Sequence, residues 1–175
     1  MNEQLVITAL GKDRPGIVNE LSNALASHQL NIEDSSMSVM GGEFAILMLV
    51  SGSVASIDNF IAQITELEER LGMHLLAKST STQPTDTTYA LYTVEIDSID
   101  RPGIVRDIAS FFSDKQINIV DLDTLRYPAA HTGIPMFTMQ MTIGVPPEQS
   151  IVTLREEFIS LCNTLNIDAD INTAL

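Results

Sequence analysis

Two identical hexapeptides, Asp13-Arg14-Pro15-Gly16-Ile17-Val18 and Asp100-Arg101-Pro102-Gly103-Ile104-Val105, hold the most chemically suggestive residues of this chain. They lie 100 − 13 = 87 residues apart. Each reads as the opening of a helix. Proline is tolerated in a first turn, where its missing N–H would lack a partner anyway, and Asp13 is placed to cap the free N–H groups. Arg14 and Arg101 offer a planar fork that either grips a carboxylate in bidentate fashion or bridges to a neighbouring acid. In each copy an Asn-Ile pair follows 18 residues after the aspartate (31 − 13 and 118 − 100), as Asn31-Ile32 and Asn118-Ile119. No Ser/His/Asp set, no recognisable pair of acids and no phosphate loop accompanies them, so neither a catalytic residue nor an enzyme is expected. His28, His74 and His131 lack metal-ligand spacing, and no metal or cofactor is implied. His28 aligns with Lys115 and reads as a cation near a helix C-terminus. Cys162 follows Phe158 by one helical turn on the apolar side and reads as packing.

The repeat extends well beyond the hexapeptide. Gln29-Leu30-Asn31-Ile32 returns as Gln116-Ile117-Asn118-Ile119, and Asp34 returns as Asp121. Ile17, Val18, Leu21, Ala24 and Leu25 map onto Ile104, Val105, Ile108, Phe111 and Phe112, where only the apolar pattern survives. A chain of 175 residues therefore divides into two modules of about 80 residues, expected at 1–80 and 88–175 with a linker at 81–87. The apolar fraction of 45% is globular, and no run of 18 apolar residues suggests a membrane span. One cysteine and no export signal point to the cytoplasm. The net charge of −14, with nine Lys and Arg spread thinly, leaves no basic face for nucleic acid. Any role in gene control would then run through a protein partner. Glu66, Glu68 and Glu69 form either a solvated helix face or a docking surface for a basic partner.

Patterning supplies the elements that must position these residues. Leu5 to Leu10 reads as a strand buried on both faces or nearly so, followed by a helix with apolar residues at 17, 18, 21, 24, 25 and 28. Strands at 32–40 and 43–51 flank Gly41-Gly42, a pair suited to a tight hairpin. Ile57, Phe60, Ile61, Ile64, Leu67 and Leu71 trace one helix ended by Gly72, and 74–80 closes the module. The second module repeats the order, with strands at 89–96, 119–127, 136–145 and 168–172 and helices at 102–115 and 149–165. Its hairpin loop is about six residues longer and contains His131. The order β-α-β-β-α-β is the split βαβ arrangement of ferredoxin-like domains, an α+β class. Two helices cover one face of such a sheet, and the other must find water or another sheet.

Both copies carry D-x-P-G-[IL]-[VL] into the first helix and Asn-Ile at the second strand, and the whole chain thus resembles the ACT family of small regulatory domains. The resemblance implies a small amino acid bound near the first turn and the start of the second strand. The candidate ligand residues are Asp13, Arg14, Pro15, Gly16, Ile17, Asn31 and Ile32, and Asp100, Arg101, Gly103, Ile104, Asn118 and Ile119. Free N–H groups at a helix start can hold the carboxylate, and asparagine can serve both ends of a zwitterion. The same residues also suit a structural role, a good helix start and a turn into a core strand. The longer second loop favours the first module for binding. Members of the family built as a stand-alone tandem pair imply a cytoplasmic regulator without a DNA-binding domain. Such a regulator would bind a LysR-type activator and be released by glycine. The modules would join sheets edge to edge, and a homodimer could form in the same way. Two alternatives stay open: a structural adaptor without ligand, and a regulatory subunit of a separate amino-acid or one-carbon enzyme.

Overall fold

The computed structural model describes residues 2–81 and 89–174, and each copy of the repeat folds as expected for an α+β, ferredoxin-like domain. The first comprises β1 (Asn2–Lys12), α1 (Ile17–Ser27), β2 (Asn31–Met40), β3 (Glu43–Ser53), α2 (Val54–Ala62), α3 (Ile64–Leu71) and β4 (Met73–Thr80). The second comprises β5 (Ala90–Ile99), α4 (Ile104–Asp114), β6 (Asn118–Pro128), β7 (Pro135–Val145), α5 (Ile151–Leu165) and β8 (Asp168–Thr173). The antiparallel sheets run β2-β3-β1-β4 and β6-β7-β5-β8. Two compact units result, Met1–Pro84 and Thr85–Leu175. Residues 82–87 of the expected linker lie outside the described residues. Among the described residues no helix is long and apolar enough to cross a membrane.

Each core sits between one sheet face and its helices. Leu5, Ile7 and Ala9 of β1 pack with Leu21, Leu25, Phe60 and Leu67. In the second unit Val94 and Ile96 pack with Ile108, Phe112 and Phe158, whose rings lie 5.2 Å apart for the Phe112–Phe158 pair. Cys162 is buried in that core, as are Met139 and Met141, and Met48 fills the first.

Four expectations need correction. β1 is buried on one face only, because the helices cover only that face: Leu10 is 53% exposed. The helix expected over 57–71 is two helices, because the ladder tightens at Gln63, whose N–H donates to Phe60 O at 3.0 Å. The helices after the hexapeptides start at Ile17 and Ile104, behind left-handed Gly16 and Gly103, so the prolines precede the helix and Asp13 makes no side-chain cap. Glu68 is not simply solvated, since its carboxylate accepts the Leu75 N–H at 2.7 Å.

Two backbone devices recur at the 87-residue offset. Gln29 and Gln116 take φ of +58° and +56°, ending α1 and α4. Leu30 N–H then returns to Leu25 O at 3.0 Å and Ile117 N–H to Phe112 O at 2.9 Å, with both apolar pairs buried. Each second strand next carries a bulge, between Ile32 and Asp34 and between Ile119 and Asp121. The hairpins differ as expected. Gly41-Gly42, both at positive φ, close the first, whereas Pro128 pairs with Pro135 before a loop at 129–134 in the second.

The faces turned away from the helices have diverged. In the first sheet, pairing aligns Asp34–Leu49–Val6–Lys78 as one row across the strands, then Ser36–Leu47–Thr8–Leu76 and Ser38–Ala45–Leu10–His74. The corresponding rows of the second are Asp121–Thr142–Thr93–Asn172, Asp123–Gln140–Glu95–Asp170 and Leu125–Thr138–Asp97–Asp168. The first face mixes apolar side chains with polar ones, whereas the second is strongly acidic.

Candidate functional site

The turn between β1 and α1 is held at both ends by the backbone. Asp13 N–H donates to Gly42 O at 3.1 Å, tying the turn to the β2–β3 hairpin, and Glu20 N–H donates to Gly16 O at 2.9 Å. Gly16, at φ +95°, occupies the N-cap position without any side chain satisfying the first turn. Ser53 caps α2 and Ser150 caps α5, each through its hydroxyl, whereas α1, α3 and α4 start without a side-chain cap. Uncapped N–H groups and the positive end of the helix dipole favour an anion. They border an open cleft of about 340 Å³ lined by Asp13, Arg14, Gly16, Ile17, Asn19 and Phe44.

Arg14 bridges to a neighbouring acid. Its Nη1 and Nη2 donate to the two oxygens of Glu20 at 2.6 and 2.9 Å, and Nη2 also reaches Leu71 O at 3.3 Å. The hydrogen bond from Arg14 holds the Glu20 carboxyl below its ordinary range. The second module has a shorter acid at the matching position, Asp107 (20 + 87). Arg106 competes for it, with Nε at 3.0 Å and Nη2 at 2.7 Å from Oδ1. Arg101 keeps a single bond to Oδ2 at 3.3 Å, and its Nη2 is buried without a hydrogen-bond partner among the described residues. Asp107 is held below its ordinary range by Arg106 and then by Arg101. Asp100 N–H donates to Pro135 O at 2.9 Å, and its carboxylate accepts from Arg126 Nε at 2.6 Å.

The asparagines stand elsewhere. Register pairs Gly11 with Phe44 beside the turn but Asn31 with Ser51, 51 − 44 = 7 residues farther along β3. That separation is about 23 Å at ~3.3 Å per residue. Asn118 pairs with Gly144 and Ile99 with Met136, 144 − 136 = 8 residues apart. The structure thus gathers Asp13, Arg14, Pro15, Gly16 and Ile17 in one place, and Asn31 with Ile32 at the opposite end of the sheet. Asp100, Arg101, Gly103 and Ile104 are separated from Asn118 and Ile119 in the same way. Asn31 Nδ2 donates to Glu33 Oε1 at 3.0 Å, and Ser51 Oγ donates to the same oxygen at 2.5 Å. These bonds, Ser51 first, lower the Glu33 pKa. In the second module the bulged residue is Val120 and the strand partner Gly144, so neither can engage Asn118 in this way.

Glu20, Asp107, Asn19, Glu33 and Phe44 border these positions and were not among the residues expected at the site. The signal for the first two was available, since each module has an acid six residues after its arginine (20 − 14 and 107 − 101). His28 donates Nδ1–H to Ala24 O at 2.8 Å and packs edge-on against Phe60, as befits a helix C-terminus. Among the described residues no group of three His, Cys, Asp or Glu is placed to hold a metal ion.

Residues 3–78 match the model of the ACT domain. The chain is 32% identical to the glycine cleavage system transcriptional repressor of Escherichia coli (strain K12), over 96% of its own length and 88% of that protein. The chain belongs to the ACT-domain family. Its fold matches a crystal structure assigned to a glycine cleavage system transcriptional repressor with a TM-score of 0.74 and 29% identity, covering 99% of this chain and 98% of the other. An unknown protein from Galdieria sulphuraria, 26% identical, matches with a TM-score of 0.78 over the full length of both chains. Similarity therefore spans both ACT modules.

Proposed function

We propose that this chain is an amino-acid-responsive transcriptional regulator that acts by contact with a LysR-type DNA-binding activator, with glycine as its effector. The observation that carries the reading is the similarity to a glycine cleavage system transcriptional repressor through both modules. The net charge of −14 agrees with control through a protein rather than through DNA. The uncapped starts of α1 and α4 supply the chemistry for an effector carboxylate. A single module does not offer its turn and its asparagine to one small amino acid, because about 23 Å separates them. The turn is therefore the part on which the ligand reading rests. Glycine would act by binding one conformational state of the regulator better than another and so shifting the population competent for the activator.

The test is calorimetric titration and thermal unfolding of the full chain with glycine and with the other proteinogenic amino acids. Glycine at about 100 times its dissociation constant should add roughly 2.7 kcal/mol, a shift of several degrees. A flat response across the panel would turn the assignment to an adaptor without ligand. Co-purification of a metabolic enzyme in place of a transcription activator would turn it to a regulatory subunit.

A further inference from the structure

The open face of the first sheet carries exposed apolar side chains that the reading above leaves unused. Leu10, Leu47 and Leu76 are 53%, 51% and 68% exposed, and Val6 and Leu49, half-buried, form the row next to Leu47 and Leu76. Asp34 and Lys78 stand at opposite ends of one row, on the edge strands β2 and β4, about 14 Å apart across three strand spacings. Neither has an ion-pair partner among the described residues.

We propose that this face is covered by the same face of a second copy of the chain, the two sheets stacking about a two-fold axis roughly parallel to their strands. Such an axis exchanges the left and right edges of the sheet. β2 of one copy then lies over β4 of the other, and β3 over β1. Asp34 meets Lys78 of the second copy, and Lys78 meets Asp34. Between them Leu49 faces Val6, and in the next row Leu47 faces Thr8 while Ser36 faces Leu76. The charge pairs that are out of reach within one copy close twice across the dimer, at the rim of an apolar centre. Stacked sheets sit about 10 Å apart with strands within about 30° of each other, a geometry that a two-fold axis close to the strand direction satisfies.

The second module supplies an internal contrast. The same operation on its face would set Asp123 against Asp170 and Leu125 against Asp168. Like charges would meet without water, and that face does not self-associate. Complementarity to itself is a property of the first sheet's side chains rather than of the fold. Four strands and three rows give a footprint that buries roughly 500–600 Å² per copy, at the low end of specific interfaces. An interface of this size is that of a reversible dimer rather than an obligate one.

Sedimentation equilibrium of the full chain, from about 1 to 300 μM, tests the proposal. The wild type should show a monomer–dimer equilibrium, and Leu47→Glu should be monomeric throughout while keeping its unfolding temperature. Asp34→Lys and Lys78→Asp should each weaken the dimer about tenfold by setting like charges opposite one another. The double variant should regain wild-type affinity to within about threefold, because reversal restores both pairs. A wild type that stays monomeric, a dimer indifferent to Leu47→Glu, or a double variant no better than the singles would overturn the proposal. Were Leu47→Glu not to fold, the exposed charge variants alone would decide between the outcomes.

Discussion

Replacing Gly16 by alanine probes the backbone of the turn proposed to receive the effector carboxylate. A Cβ at this position would meet nothing nearer than Glu20 Oε1 at 3.5 Å and Arg14 Nη1 at 4.0 Å, which is ordinary contact. Crowding contributes little, and the cost is that of holding an L-residue at φ +95°, about 1–2 kcal/mol. Gly103, at φ +97°, carries the same backbone cost, but its Cβ would stand 3.2 Å from Arg106 Nη2. That guanidinium is bonded to Asp107, so it must give way by a few tenths of an ångström against a standing ion pair. Gly103→Ala should therefore destabilise its unit more than Gly16→Ala destabilises the first. Gly16→Asn should fall between glycine and alanine, since asparagine tolerates the left-handed region better than other non-glycine residues. Urea unfolding with thermal scans reads these differences, at about 4–8 °C per kcal/mol for a unit of this size. A Gly16→Ala protein within about 0.5 kcal/mol of wild type would contradict the strain reasoning. An asparagine variant as costly as alanine would do the same, and the open N–H groups of the first turn would lose the frame argued for them.

Two further outcomes follow from the electrostatics and the core. Glu20, Glu33 and Asp107 all have pKa values lowered in the folded state, so their contribution is present above the unfolded values and lost as pH falls through the folded ones. Stability should decline below about pH 4.5, the ordinary glutamate value, and Glu20→Gln and Glu33→Gln should flatten that decline in urea unfolding measured from pH 3 to 7. Burial pushes the Cys162 thiol up to about 11, so a thiol-specific reagent at pH 8 should label it only as fast as the second unit opens. Prompt labelling of the folded protein would contradict the burial.

Local chemistry made much of this fold legible. Glycines at 41–42 and 72, the alternating strands and the duplicated hexapeptide each follow rules that act within a few residues. What stayed hidden depended on distant partners. Asp13 looked like a helix cap until the left-handed Gly16 took the cap position and moved the helix start past the proline. Gln29 has no special liking for a positive φ, and it adopts one because Leu30 must return to pack on Leu25. The spacing of 18 residues between Asp13 and Asn31 concealed the direction of travel. α1 carries the chain about 17 Å away from the turn over its 11 residues, and Asn31 starts its strand at that far end. Likewise, the one-sided burial of β1 could not be read from an apolar run, because Val6 and Leu10 face the open side of the sheet.

The two modules share their backbone devices and differ in the side chains mounted on them. Left-handed glycine, left-handed glutamine and bulge recur at one offset, since each is a condition for closing the same β-α-β-β-α-β path. The groups around those devices are free to diverge once the path is kept. Glu20 satisfies both ends of the Arg14 fork, whereas the shorter Asp107, shared with Arg106, leaves Arg101 Nη2 unpaired. Glu33 and Ser51 occupy the Asn31 amide, and Val120 and Gly144 leave Asn118 without an equivalent pair. An amino acid that sought the Arg14 fork or the Asn31 amide would have to displace standing bonds, whereas Arg101 keeps one bond, to Asp107, and its second nitrogen is buried. Under the proposed regulation the two modules would therefore present the effector with different donors, each at its own cost in bonds broken or groups uncovered.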